Sequence, residues 1–246
     1  MQKSNRIILL AGLMSTAGLA QADVVNGPDP YAAGYGFDLP NEAAWGGWNR
    51  GDAGTLYAEW DNFSDASYGS GSDRTAAPTA GSSGTSDAYL SWNAGTFSAG
   101  SGNLYSFSVA ESFQAHLIGS TGPGPLRIAL QTEEWGTPID TASVLLNGTA
   151  PTFSSVTYSE PAYPSSFGEV ALTQRLFYWD LASAPASFLL AFSSAESSLS
   201  LAQVAVDVGP VAAVPVPAAI WLMGSALAGM GMVGRRGRGG RRELLA

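Results

Sequence analysis

From Ala88 to Val208 the chain is a series of short runs in which apolar and polar residues alternate. In LRIALQT, Leu126, Ile128 and Leu130 point one way, and Arg127, Ala129 and Gln131 the other. Such a period of two suits a strand with one buried face, because successive side chains leave a strand on opposite sides. AYLSW, NLYSFSV, FQAHLI, TASVLLNG, FSSVTYSE, VALTQRLFYWD, ASFLLAFSS and SLSLAQVAVDV repeat the pattern, and TLYAEW at Thr55–Trp60 precedes them. Turn-forming residues separate several of these runs, as in GSTGPGP before Leu126. In the last run the alternation slips between Leu201 and Val204, which predicts a bulge near Ala202-Gln203. Asn147-Gly148 predicts a tight hairpin turn. About nine or ten short strands and no strong helical period predict an all-β body, an antiparallel β-sandwich of jelly-roll type.

Before these strands lies a different kind of sequence. Asp23 to Asn49 is rich in Gly, Pro and aromatic residues and reads as irregular chain, with turns at Asn26-Gly27 and Gly46-Gly47. Asp61 to Thr85 is a Ser/Gly/Thr-rich run, expected as a long loop or disordered insertion. The chain has no Cys, which excludes disulfides, thiolate metal sites and Cys nucleophiles.

Charge divides the chain into a body and two ends. Between Asp23 and Pro217 there are four arginines and 19 of the 20 acids, a net charge of −15, whereas the ends are basic. A body so acidic is disfavoured as a nucleic-acid binder, since phosphate contacts need Lys and Arg. At the N-terminus, Lys3 and Arg6 precede an apolar stretch from Ile7 to Ala20, and Ala20-Gln21-Ala22 offers a small-x-small cleavage pattern. Residues 1–22 are therefore expected to be a secretory signal-peptide helix, delivered by the secretion translocon and removed by signal peptidase. The body is expected to cover 23–209.

Residues 210–217 form a Pro/Val/Ala linker, extended because Pro fixes its own φ and biases its neighbour. Residues 218–246 hold an uncharged run to Val233 and then five arginines. As a helix the run is about 24 Å long, slightly short of a hydrocarbon core of about 30 Å. With its flanks it is expected to form a single transmembrane helix, Trp221 suiting the interface. Arg235, Arg236 and Arg238 form a membrane stop on the cytoplasmic side, so the body faces outward.

The string VPVPAAIWLMGSALAGMGMVGRR resembles the PEP-CTERM sorting signal of Gram-negative, exopolysaccharide-producing bacteria. The resemblance spans about 30 residues, in the order Pro-x-Pro motif, membrane helix, arginine cluster. Pro215, Val216, Pro217, Ala218 and Ala219 occupy the sorting motif, with Val216 replacing the Glu of the name-giving form. The resemblance implies a transient stay in the inner membrane, cleavage by an exosortase-type membrane protease, and release to the cell surface or extracellular matrix. It implies nothing about the fold or ligand of the body.

The body offers few groups for chemistry. His116 is the sole histidine and lies in a strand pattern, with Phe113, Ala115 and Leu117 on one face and Gln114, His116 and Ile118 on the other. No Gly-x-Ser-x-Gly elbow accompanies it. Asp61 with Asp65, Glu133 with Glu134, and Asp207 are the carboxylates of interest, all expected as solvated surface charge. In DNFSD, Asp61, Asn62, Ser64 and Asp65 supply hard oxygen ligands of the kind calcium takes, without the Gly and terminal Glu of an EF-hand. Trp45 and Trp48, in the Gly-rich loop WGGW, are the aromatic residues best placed for sugar contact, against the alternative of a loop tucked onto the sandwich. The reading that results is an exported, non-enzymatic structural or adhesive protein associated with exopolysaccharide. Its alternatives are a calcium-stabilised lectin-like module and a polysaccharide hydrolase or lyase using paired carboxylates.

Overall fold

The computed structural model describes residues 27–63 and 74–211. The expected signal peptide, sorting motif, membrane helix and arginine stop lie outside the described residues, as does Asp65. Among the described residues no helix is long and apolar enough to cross a membrane.

The described chain is all-β. Its strands are β1 (Leu56–Trp60), β2 (Thr75–Ala76), β3 (Gly81–Ser83), β4 (Thr85–Trp92), β5 (Phe97–Ser98), β6 (Leu104–Tyr105), β7 (Ser112–Gly119), β8 (Leu126–Gly136), β9 (Leu145–Leu146), β10 (Phe153–Ser165), β11 (Gly168–Leu181), β12 (Phe188–Ser193) and β13 (Leu199–Pro210). They form two antiparallel sheets. The larger runs β10-β11-β8-β13-β1-β3, with β6 pairing β13 and β5 pairing β6; the smaller runs β2-β4-β7-β12-β9.

The alternation read from the sequence sets which face of each strand meets the core. Leu126, Ile128 and Leu130 of β8, Val204, Val206 and Val208 of β13, and Phe177 and Trp179 of β11 come from the larger sheet. Phe113, Ala115 and Leu117 of β7, with Phe188, Leu190 and Phe192 of β12, come from the smaller. All join one buried cluster, so the two sheets share a single core. The indoles of Trp60 and Trp179 are fully buried, yet their N–H groups are satisfied by the carbonyls of Ala76 and Thr149, both at 2.9 Å. Burying a tryptophan with its polar edge paired yields the apolar gain without an unpaired donor.

Two local predictions are met in detail. The register of β13 against β8 shifts between Leu201 and Gln203, the expected bulge. Asn147 and Gly148 take φ of 48° and 80°, and Leu146 and Thr149 exchange both backbone hydrogen bonds around them. That is the two-residue turn whose left-handed positions favour Asn and Gly.

Two other expectations are corrected. The polar run 61–85 is not wholly loop, since β2 pairs β4 and β3 pairs β1. The larger correction concerns the outer face of the larger sheet, which is covered rather than solvated. The segment from Gly27 to Gly54 crosses it as an irregular strap. Gln131 holds the strap by accepting from the Asp38 N–H and donating to its carbonyl, at 2.9 and 3.0 Å. Gln174 accepts from the Gly36 N–H. Side-chain amides of the sheet thus satisfy strap backbone that has no strand partner. The strap is also why β1 and most of β13 are buried on both faces.

Candidate functional site

At one end of the larger sheet four stretches distant in sequence, 97–107, 135–137, 165–170 and 198–200, meet around an open cleft of about 460 Å³. β5 and β6 bring Phe97 and Tyr105, the following loop brings Phe107, the end of β8 brings Trp135, and the β10–β11 turn brings Phe167. Tyr105 and Phe167 lie nearly parallel, with centroids 5.9 Å apart and planes 14° apart. Phe107 meets Tyr105 edge-on at 4.7 Å and lies over Phe97 at 5.9 Å. These rings are not sealed in: Phe107 is 62% exposed and Phe167 74%. Exposed large aromatics clustered on one surface mark contact sites, because their burial is still to be gained.

The backbone around the rings is tightly held. Ser106 Oγ accepts from the N–H groups of Ser108 and Val109, which bends the chain and sets Phe107 outward. The carbonyl of Ser106 accepts from the Ser198 N–H at 2.9 Å. Just beyond, Glu111 is buried, and burial raises its pKa against the hydrogen bond from Ser194. Ser194 Oγ donates to its carboxylate at 2.7 Å, tying the loop to the turn before β13. At the β10–β11 turn, Ser165 Oγ accepts from the Phe167 N–H and donates to the Gly168 carbonyl. Gly168 has φ of 101°, a conformation that other residues rarely adopt, and it leaves Phe167 at the tip. Trp135 is fixed from below, its Nε1–H donating to Glu133 Oε1 at 2.9 Å and its ring packing on Tyr163 at 5.0 Å.

The residues singled out from sequence have other tasks. Trp45 and Trp48 are not presented to solvent; they are 7% and 4% exposed and pack with Ala129 and Leu176 on the outer face of the larger sheet. The two rings meet at 5.9 Å, and Arg127 donates to the Trp45 carbonyl. A Cβ at Gly209 would stand 2.2 Å from the Trp48 ring, so the absent side chain makes room for the indole. The WGGW loop therefore fastens the strap and leaves no aromatic face for a sugar.

The carboxylates are likewise buried rather than solvated. Asp61 follows β1 and is buried, its N–H donating to Thr79 Oγ1. Glu133 and Glu134 leave β8 on opposite faces and do not converge. Glu133 accepts from Gln174 and Trp135, and burial pushes its pKa up to about 7. Glu134 pairs with Arg175; burial raises its pKa and the arginine opposes the shift. Asp207 and Glu59 share Arg50, which makes two bonds to Asp207 at 2.8 Å and one to Glu59 at 3.1 Å. Tyr31 and Tyr57 both donate to Glu59 Oε2, and the Arg50 guanidinium lies 3.7 Å from the Tyr57 ring centroid. This cluster clips the strap to β1 and β13. His116 packs against Tyr89, ring centroids 4.8 Å apart and planes tilted by 33°, on the outer face of the smaller sheet, as the alternation placed it. No group of three or more acidic or histidine side chains among the described residues is arranged to hold a metal ion.

Sequence reasoning missed the cleft because no local pattern shows that its parts meet. A local signal exists in Ser166-Phe167-Gly168 and Ser106-Phe107-Ser108, where a large apolar residue sits among turn formers. Comparison of the chain with family models, with curated proteins and with solved structures finds no match.

Proposed function

We propose that this chain is an exported cell-surface or matrix protein, sorted by a PEP-CTERM-like tail, whose non-enzymatic body is structural or adhesive and touches exopolysaccharide through the aromatic cleft. The observation that carries the contact is the ring set of exposed Phe97, Phe107 and Phe167 around half-buried Tyr105, with serines between the rings. The C–H faces of a sugar ring are weakly positive and meet the negative face of an aromatic ring, while serine hydroxyls exchange hydrogen bonds with sugar hydroxyls. Each ring here is held by backbone already satisfied, so little ordering cost is left for binding.

We also read the sandwich as jelly-roll-like. In support, the chain changes sheet between β7 and β8, β8 and β9, β9 and β10, β11 and β12, and β12 and β13, and its first and last strands pair. Two departures from the plain form are β7 between β4 and β12, and β10 beside β11 in the larger sheet.

Replacing both Phe107 and Phe167 by Ala is expected to lower retention of the protein in the host's exopolysaccharide fraction by about tenfold, the equivalent of one to two lost stacking contacts. Thermal unfolding should be unchanged, since both side chains are exposed. Undiminished retention would remove the cleft from the reading. Separately, mass spectrometry of the mature protein from its host is expected to find a C-terminus near Pro217. A chain ending at Ala246 would rule out processing of the tail.

A further inference from the structure

We infer that the cleft takes uncharged polysaccharide and excludes anionic glycans such as uronates. The inference rests on the proposed sugar contact and names the chemical class that fits it.

Its basis is where the cations of the body are spent. The body holds four arginines and no lysine. Arg50 is bound to Asp207 and Glu59, Arg127 to Asp180, and Arg175 to Glu134. Arg74 Nε donates to the Trp92 carbonyl, and among the described residues no arginine lines the cleft. The lining is aromatic residues, serines, small residues, Thr137 and Val170, with no charged side chain of either sign among the described residues. Directly behind the Trp135 indole lies Glu133, and its hydrogen-bond partners, Gln174 and Trp135, are neutral and offer no cation. Recognition of carboxylate or sulfate depends on charge-assisted donors, above all Arg. An anionic glycan entering this cleft would give up its hydration, find no cation, and approach a body of net charge −15. A neutral chain loses nothing of the kind, and its apolar ring faces match the stacked aromatics.

The test uses the full chain in phosphatidylcholine nanodiscs and titration calorimetry at about 0.15 M salt, which screens the basic ends, and counts as cleft binding only what the Phe107→Ala/Phe167→Ala variant loses. The probes are dextran and laminarin as neutral polymers, and alginate and polygalacturonate as anionic ones. A neutral polymer is expected to bind, with at least about tenfold loss of affinity in the Phe107→Ala/Phe167→Ala variant, and both anionic polymers should bind at least about tenfold more weakly. Ser166 is exposed on the cleft rim, and Ser166→Arg should narrow that difference by supplying the missing cation. Anionic polymers binding as tightly as neutral ones, with loss in the double variant, would overturn the charge selectivity and leave the sugar contact standing. Failure of Ser166→Arg to narrow the gap would also overturn it. No binding by any polymer, or binding indifferent to the double variant, would overturn the sugar contact as well.

Discussion

Replacing Arg50 with Met is expected to destabilise the body by about 3–5 kcal/mol, the usual consequence of removing one partner from a buried ion pair. Among the described residues the guanidinium is the sole cation beside the two buried carboxylates Asp207 and Glu59, and it makes three bonds to them. Burial already raises the pKa of both acids, against the pull of Arg50. Without it they must take up protons or stay charged in a poorly solvated site, and either outcome penalises the folded state. The loss is also mechanical, because Arg50 links the strap to the central strands β1 and β13, beside the Tyr31–Glu59 hydrogen bond. The measurement is the urea unfolding midpoint of Arg50→Met beside a triple variant that adds Glu59→Gln and Asp207→Asn. The triple variant should recover part of the loss, since neutral amides at those positions no longer need a cation. A change below about 1 kcal/mol in Arg50→Met would show that the cluster holds little of the fold.

The second large effect is a fall in stability as pH rises from about 4.5 to about 7. Glu133 has an ordinary value of 4.5, and burial lifts it to about 7 in the folded protein. Between those values the folded state holds a proton that the unfolded chain has released. Stability is therefore fully present below about 4.5 and is lost as pH passes through about 7. For one group the difference amounts to about 3 kcal/mol. The shifts of Glu134, Glu59, Glu111 and Asp207 have the same sign. Tyr158 and Tyr163 also face this region; their pKa values are raised, so they stay neutral throughout the window. Thermal unfolding is expected at a temperature on the order of 10 °C higher at pH 5 than at pH 8. Glu133→Gln should flatten that difference, although one of the two donors at this site, Gln174 or Trp135, then loses its acceptor. Parallel pH curves for the two proteins would show that Glu133 is ionised in the folded state across the range.

The local features were legible because each is encoded within a few residues. Leu126, Ile128 and Leu130 assign the inner face of β8 with no knowledge of its neighbours. The break in alternation at Ala202 is itself the bulge. Asn147-Gly148 needs only the steric tolerance of its own backbone. Reach beyond the neighbouring strand is what such signals lack. Asp207 and Glu59 alternate with apolar residues just as surface acids do, Glu133 sits in the polar run Gln131–Glu134, and nothing local distinguishes a solvated outer face from one under a strap. Trp45 and Trp48 were legible as loop aromatics but not as the residues that fasten it.

By itself, then, the sequence determined the strand periodicity, the turns, the exclusion of thiol chemistry and the separation of an acidic body from basic ends. These follow from composition and from steric preferences of one to four residues, which act before any long-range contact forms. The tertiary structure alone decided which face of the larger sheet is covered, which carboxylates Arg50 serves, and where Phe97, Tyr105, Phe107, Trp135 and Phe167 come together. Those outcomes depend on strand order and on burial, which are properties of the whole folded chain. The aromatic cleft belongs to this second kind: its rings are up to 70 residues apart in the chain and are brought together because β6 pairs β13, β13 pairs β8, and β8 pairs β11.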